Sequence, residues 1–302
     1  MRAVSNRLSA YTQPGTVRAL LGEHRDLYGL LEELAPRPRR RLLGSCDHDV
    51  YGEDAQMMEG MNMPAVLEGK VALVTGVSYD GQIGQAVAKK LAESGAALAI
   101  CARTQSNVEA RAEELRQAGA RVLAVAASLT DEAKVRQLIE RALSEYRRID
   151  ILVNLAGGLT RYKLAVEHSL DDWTQELNNN LLSAFLTSRA VFPHMQESGG
   201  GAIINFARAG LPQANMVAYN CAKAGIEALT RTLALEGRDS GIRVNAVAPG
   251  LVDTASNIAA MKPKDLKRWA KREDIAETVL FLASQAGAGI TGQVIAVTGA
   301  GV

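Results

Sequence analysis

From Lys70 onward, short apolar runs alternate with longer stretches of helical spacing. The runs are V-A-L-V-T (71–75), A-L-A-I-C (97–101), V-L-A-V-A (122–126), I-L-V-N (151–154), A-I-I-N-F (202–206), R-V-N-A-V (243–247) and V-I-A-V-T (294–298). Strands that are apolar throughout, rather than at every second position, are covered on both faces. Helices joining them by right-handed crossovers supply that cover, which predicts an α/β fold with a doubly wound parallel sheet of about seven strands.

Ahead of Lys70 the pattern is different. Strand-like runs are absent, and Val17, Leu20, Leu21, Leu27, Leu30, Leu31 and Leu34 recur at helical spacing, predicting an amphipathic helix over 16–35 and a linker over 37–56. The expected organisation is an N-terminal extension, 1–62, partly helical or disordered and dispensable, followed by one domain, 63–302. Glu23, Asp26, Glu32 and Glu33 argue against a mitochondrial presequence, which avoids acids.

Composition narrows the function classes. With 47% hydrophobic residues, 22% charged residues and a net charge of +1, the chain has no field for holding nucleic acid or an anionic membrane. No apolar run approaches the roughly 20 residues of a membrane span, and the opening residues lack a secretory pattern, so a cytoplasmic location is expected. Cys46, Cys101 and Cys221 are widely spaced and odd in number, and His24, His48, His168 and His194 have no ligand spacing, so no metal site is expected.

Candidate chemistry begins where the first strand meets the first helix, at Thr75-Gly76-Val77-Ser78-Tyr79-Asp80-Gly81-Gln82-Ile83-Gly84. Glycines at such a turn let backbone N–H groups approach a pyrophosphate at the positive end of the helix dipole, although a tight turn without ligand has the same look. At the end of the second strand, an NAD site would place an acid for the ribose hydroxyls. The chain instead has Arg103, whose guanidinium suits a 2'-phosphate and favours NADP(H) over NAD, unless Arg103 is simply a solvated residue at a helix start.

Five motifs follow in order: Gly76, Gly81 and Gly84; Asn154-Leu155-Ala156-Gly157; Asn180 after Trp173; Tyr219-Asn220-Cys221-Ala222-Lys223; and Pro249-Gly250-Leu251-Val252-Asp253-Thr254. Together they resemble the short-chain dehydrogenase/reductase family over nearly everything after Leu67, and the resemblance implies a Rossmann-type sheet. Tyr219 and Lys223, four apart, share one helix face; alone they would pass for a surface pair. An adjacent ammonium and the cofactor's positive ring would lower the phenol's pKa.

The resemblance implies that Tyr219 exchanges a proton with the substrate oxygen while Lys223 also binds the nicotinamide ribose. Asn180 would mark a helix distortion that holds a relay water. Gly76, Ser78, Gly81, Ile83, Gly84, Asn154, Ala156 and Gly157 would contact the cofactor, and Pro249, Gly250, Val252 and Thr254 would hold its carboxamide. A small-molecule carbonyl or alcohol as substrate, and a homodimer or homotetramer, are further implications.

Four positions depart from the family. The glycine turn is two residues longer than usual, similar to the enoyl reductase branch, and Leu155 replaces a second asparagine. Ser128 stands where an aspartate often contacts adenine, and Arg208 stands where a serine usually binds the substrate carbonyl. Arg208 could donate to the reacting oxygen, bind an acidic substrate, or turn to solvent in an inactive site. Three functions therefore stay open: an NADP-preferring carbonyl/alcohol oxidoreductase, an inactive cofactor-binding regulator, and a reductase of activated carbon–carbon double bonds. The segment 255–271 that should cover the pocket is short, which predicts an open site.

Overall fold

The computed structural model describes residues 65–300. The helix expected over 16–35 and the linker expected over 37–56 lie outside the described residues.

Each apolar run forms a strand: β1 (Val71–Thr75), β2 (Ala97–Ala102), β3 (Val122–Ala126), β4 (Ile151–Asn154), β5 (Gly201–Phe206), β6 (Ile242–Pro249) and β7 (Val294–Val297). They build one seven-stranded sheet in the order β3-β2-β1-β4-β5-β6-β7, with every neighbouring pair parallel. Successive side chains on a strand point to opposite faces, and both faces are buried. Ala72 and Val74 on β1, Ile151 and Val153 on β4, and Ile204 on β5 enter one core layer; Leu73, Leu152 and Ile203 enter the other.

The first layer is closed by α1 (Ile83–Glu93), α2 (Gln105–Gln117) and α8 (Arg272–Ala283) through Val87, Leu91, Val108, Ile275 and Val279. The second is closed by α3 (Glu132–Tyr146), α5 (Ser183–Glu197) and α6 (Val217–Glu236) through Leu138, Ile139, Val191, Met195 and Ala234. Each large aliphatic side chain so buried contributes about 1.5–3 kcal/mol. Two shorter helices, α4 (Leu170–Leu177) and α7 (Ala255–Met261), stand at the carboxyl end of the sheet, after β4 and β6.

β6 runs two residues beyond its predicted end, because Ala248 and Pro249 pair with Ala296 and Val297 of β7. Proline is tolerated in this last position, where the ladder stops. A π-turn, Asn178–Leu182, joins α4 to α5, and the backbone stays right-handed helical on both sides of it. The helix distortion expected at Asn180 is therefore one wide turn inside an otherwise continuous helix.

Candidate active site

The strand order reverses between β1 and β4, and ligands of doubly wound sheets bind at the carboxyl ends of the strands beside that point. Here the buried Thr75 hydroxyl accepts from the Leu155 and Ala156 N–H groups (3.0 and 3.1 Å) and donates to Val153 O (3.2 Å). It draws the segment after β4 against the glycine turn. A Cβ on Gly76 would lie 2.8 Å from Ala156 N, and one on Gly84 would lie 2.5 Å from Gly76 O. α1 starts at Ile83 with neither a side-chain cap nor an acid in its first turn, leaving its N–H groups and dipole for an anion.

Gly84→Ala forces backbone against backbone, and overpacking of this kind costs about 1–3 kcal/mol. The expected result is a thermal midpoint several degrees lower, with weakened dinucleotide binding; calorimetry and cofactor titration check it.

Arg103 follows β2 directly and is exposed. It stands at the lip of a cavity of about 290 Å³ that Ser128, Asp131, Lys134 and Arg141 also line. The Asp131 carboxylate is engaged in capping α3, accepting from Ala133 N and Lys134 N. Three cations therefore face a single committed acid. Lys134 and Arg141 escaped sequence reading, although their spacing of seven places them on one helix face. Ser78, at the other side of the turn, accepts from Asn107 Nδ2 (3.4 Å).

The Asn154 side chain is engaged within the protein. Its Nδ2 donates to Ser188 Oγ and Asn205 Oδ1 (both 2.9 Å), and its Oδ1 accepts from Thr187 (2.6 Å). Asn205 in turn donates to Thr230 (2.9 Å), so a buried polar chain ties β4 and β5 to α5 and α6. Only the backbone of Asn154 is left for a ligand.

Tyr219 and Lys223 do share a face of α6. The Lys223 ammonium donates to Phe206 O (2.7 Å) at the end of β5 and lies 5.6 Å from the centroid of the Tyr219 ring. Burial draws the ammonium down to about 8, opposed by the Glu176 carboxylate. The Tyr219 phenol is raised above its ordinary value: burial outweighs the lowering by the Arg208 guanidinium, and Glu176 adds to the rise. The lowered phenol expected from the adjacent lysine is thus not produced by the protein alone, because desolvation of the phenolate exceeds the attraction of nearby cations.

Asn180 is 1% exposed and fully engaged. Its Oδ1 accepts from Gly158 N (2.8 Å), and its Nδ2 donates to Gly158 O (3.0 Å), Glu176 O (3.0 Å) and Glu176 Oε2 (3.1 Å). Gly157 must be glycine beside it: a Cβ there would sit 2.6 Å from Asn180 Oδ1, at a φ of +146°. Any water held at this turn would therefore bond its backbone.

Pro249 ends β6, and Gly250 N donates to Val297 O (2.9 Å). Val252 forms an isolated bridge with Ala270, and Thr254 caps α7 by accepting from Asn257 N (3.2 Å). The next residues reach the glycine turn: Ala255 N donates to Gly81 O (2.9 Å) and Ser256 Oγ to Gln82 Oε1 (3.0 Å). Gly81 and the 249–254 loop, far apart in sequence, are neighbours. Arg208 is half-buried, and among the described residues its hydrogen bond is from Nη1 to Leu211 O (2.8 Å). Its charge acts on the Tyr219 phenol in the lowering direction, against the larger effect of burial.

A family model described as short chain dehydrogenase matches residues 70–265. Cis-4-hydroxycyclohexanecarboxylate dehydrogenase of Sinomonas cyclohexanicum is 38% identical over 244 residues, covering 76% of this chain and 95% of the relative. A 3-oxoacyl-(acyl-carrier-protein) reductase of Thermotoga maritima is 34% identical over 246 residues, covering 77% and 98%. Among solved structures, a 7α-hydroxysteroid dehydrogenase complexed with NADH and 7-oxo glycochenodeoxycholic acid superposes with a TM-score of 0.73 at 30% identity, covering 79% of this chain and 96% of the other. The chain therefore belongs to the short-chain dehydrogenase/reductase family and is an NAD(P)-dependent oxidoreductase acting on carbonyl/alcohol pairs.

Proposed function

We propose that the enzyme interconverts a ketone and a secondary alcohol on a small molecule bearing a carboxylate, and that it prefers NADPH to NADH. The observation that carries this reading is the Tyr219–Lys223 pair, with Lys223 fixed to Phe206 O and the half-buried Arg208 following β5, its charge favouring the phenolate. Bound nicotinamide supplies or accepts the hydride. Tyr219 Oη exchanges the proton at the reacting oxygen, and Lys223 Nζ holds the nicotinamide ribose while its charge favours phenolate. Asn180 keeps the 157–158 backbone in place at the edge of the site.

Arg208 supports the substrate class. A guanidinium offers a carboxylate two parallel charge-assisted bonds, and among the described residues no acid pairs with this one. The Sinomonas relative is named for a hydroxycyclohexanecarboxylate, a substrate of that kind.

The residues around the cleft fit a dinucleotide. Gly76 and Gly84 allow the backbone approach a pyrophosphate needs, and Arg103, Lys134 and Arg141 offer positive charge where a 2'-phosphate would lie. The 7α-hydroxysteroid dehydrogenase neighbour holds NADH, so the fold itself does not select the phosphate, and Arg103 is the argument for it. One charge-assisted contact contributes about 1.5–3 kcal/mol, so NADPH should bind roughly 10- to 150-fold more tightly than NADH, and Arg103→Glu should abolish or reverse the difference. Fluorescence titration with both cofactors measures it. Equal affinities in the unmodified protein would overturn the preference.

A further inference from the structure

We propose that Glu176 is a positioning residue for the reaction: a buried carboxylate that clamps the 158–160 backbone to the π-turn and serves as the counter-charge of the Tyr219–Lys223 pair. Glu176 lies on α4 and is 0% exposed. Its Oε1 accepts from Thr160 N (2.6 Å) and from the Thr160 hydroxyl, and its Oε2 accepts from Asn180 Nδ2 (3.1 Å). A carboxylate this deep costs stability unless it is bonded and balanced by charge. The bonds come from Thr160 and Asn180. The charge comes from α6, which packs against both α4 and the π-turn and carries Lys223 and Tyr219, on which Glu176 acts.

The surrounding charges have other partners or lie further along. Arg161 and Lys163, on the segment covering Glu176, both pair with Asp172, and Arg161 also donates to Gln175 Oε1 (2.6 Å). Arg208 approaches Tyr219 from the loop after β5 and opposes the influence of Glu176 on the phenol. Glu176 is therefore the anion that keeps Lys223 charged while Arg208 stabilises the phenolate.

This inference rests on Tyr219 being the acid–base, so its test needs a readout independent of turnover. In the cofactor-free protein, the phenolate absorbance of Tyr219 is followed against pH as the difference from Tyr219→Phe. Glu176→Gln keeps the shape and the acceptor for Thr160 but removes the charge. It should lower the titration midpoint of Tyr219, since the carboxylate disfavours the phenolate. Side-chain NMR of Lys223 should show its midpoint falling as well. Glu176→Asp keeps the charge on a shorter arm and should titrate close to the parent, even if it melts lower.

Unshifted titrations in a folded Glu176→Gln protein would overturn the proposal, as would equal shifts in both variants, which would mark a purely structural role. If Tyr219→Phe retained turnover while Glu176→Gln still shifted the phenol, the acid–base reading would fall and the electrostatic role of Glu176 would stand.

Discussion

Tyr219→Phe should cut turnover by about 10²- to 10⁴-fold while leaving the fold and the cofactor affinity nearly unchanged, the range of a lost general acid–base. Phenylalanine keeps the ring over which the Lys223 ammonium lies at 5.6 Å and removes only the hydroxyl. The pH dependence carries a sign. Burial holds the phenol above its ordinary value, so near neutrality it is protonated and ready to donate to a carbonyl. Reduction should therefore run undiminished toward lower pH and fall as the pH rises through the phenol's pKa, whereas oxidation, which needs the phenolate, should rise over the same interval. Steady-state rates in both directions, with a ketoacid and the matching hydroxyacid, measure this. A Tyr219→Phe enzyme as fast as the parent would remove Tyr219 from the chemistry.

Arg208→Ser should split the substrates. On a carboxylate-bearing ketone, losing the guanidinium should lower kcat/KM by about 10²- to 10³-fold, as loss of a bidentate charge-assisted contact implies. On an uncharged ketone, the new hydroxyl restores the donor that family members place at this point, and turnover should rise at least about tenfold, because one donor at a developing oxyanion is worth on the order of 10² to 10³ in rate. Arg208 bonds to the chain at Leu211 O, so its replacement frees only one acceptor, on an exposed residue that water can satisfy. Silence in both assays, with NADPH still bound and Tyr219→Phe equally silent, would favour the cofactor-binding protein without turnover over the enzyme proposed here.

The strands are legible because apolar residues dominate both of their faces: a residue such as Leu73 or Leu152 sits in a core layer whichever face it takes. The π-turn was legible in outline, since Asn178-Asn179-Asn180 is a poor helix interior and its side chains compete for backbone groups. Glu176 was not legible. In Trp173-Thr174-Gln175-Glu176-Leu177 it has the look of an ordinary solvated helix charge, and only the return of Thr160 over α4 buries it. The side-chain network of Asn154 is not legible for a similar reason, because its partners Thr187, Ser188 and Asn205 lie 33 to 51 residues away. Sequence spacing records neighbours along an element, whereas these networks are decided by how elements meet. The raised phenol follows the same rule: the helix spacing of Tyr219 and Lys223 was visible, but the desolvation that dominates the phenol depends on everything packed around it.

The wide turn at Asn178–Leu182 also sets a rotational phase. A π-turn amounts to one extra residue in an α-helix, and one residue is about 100° of rotation. Upstream of it, Glu176 faces the Thr160 backbone; downstream, Thr187 and Ser188 face Asn154. Winding the same residues into regular α-helix would turn one of these two faces away from its partner, whereas deleting one residue at the turn would regularise the helix and keep both faces. The irregular turn is thus an angular offset that lets one helical rod serve two bonding directions, and with its present number of residues the helix cannot be made regular without surrendering one of them.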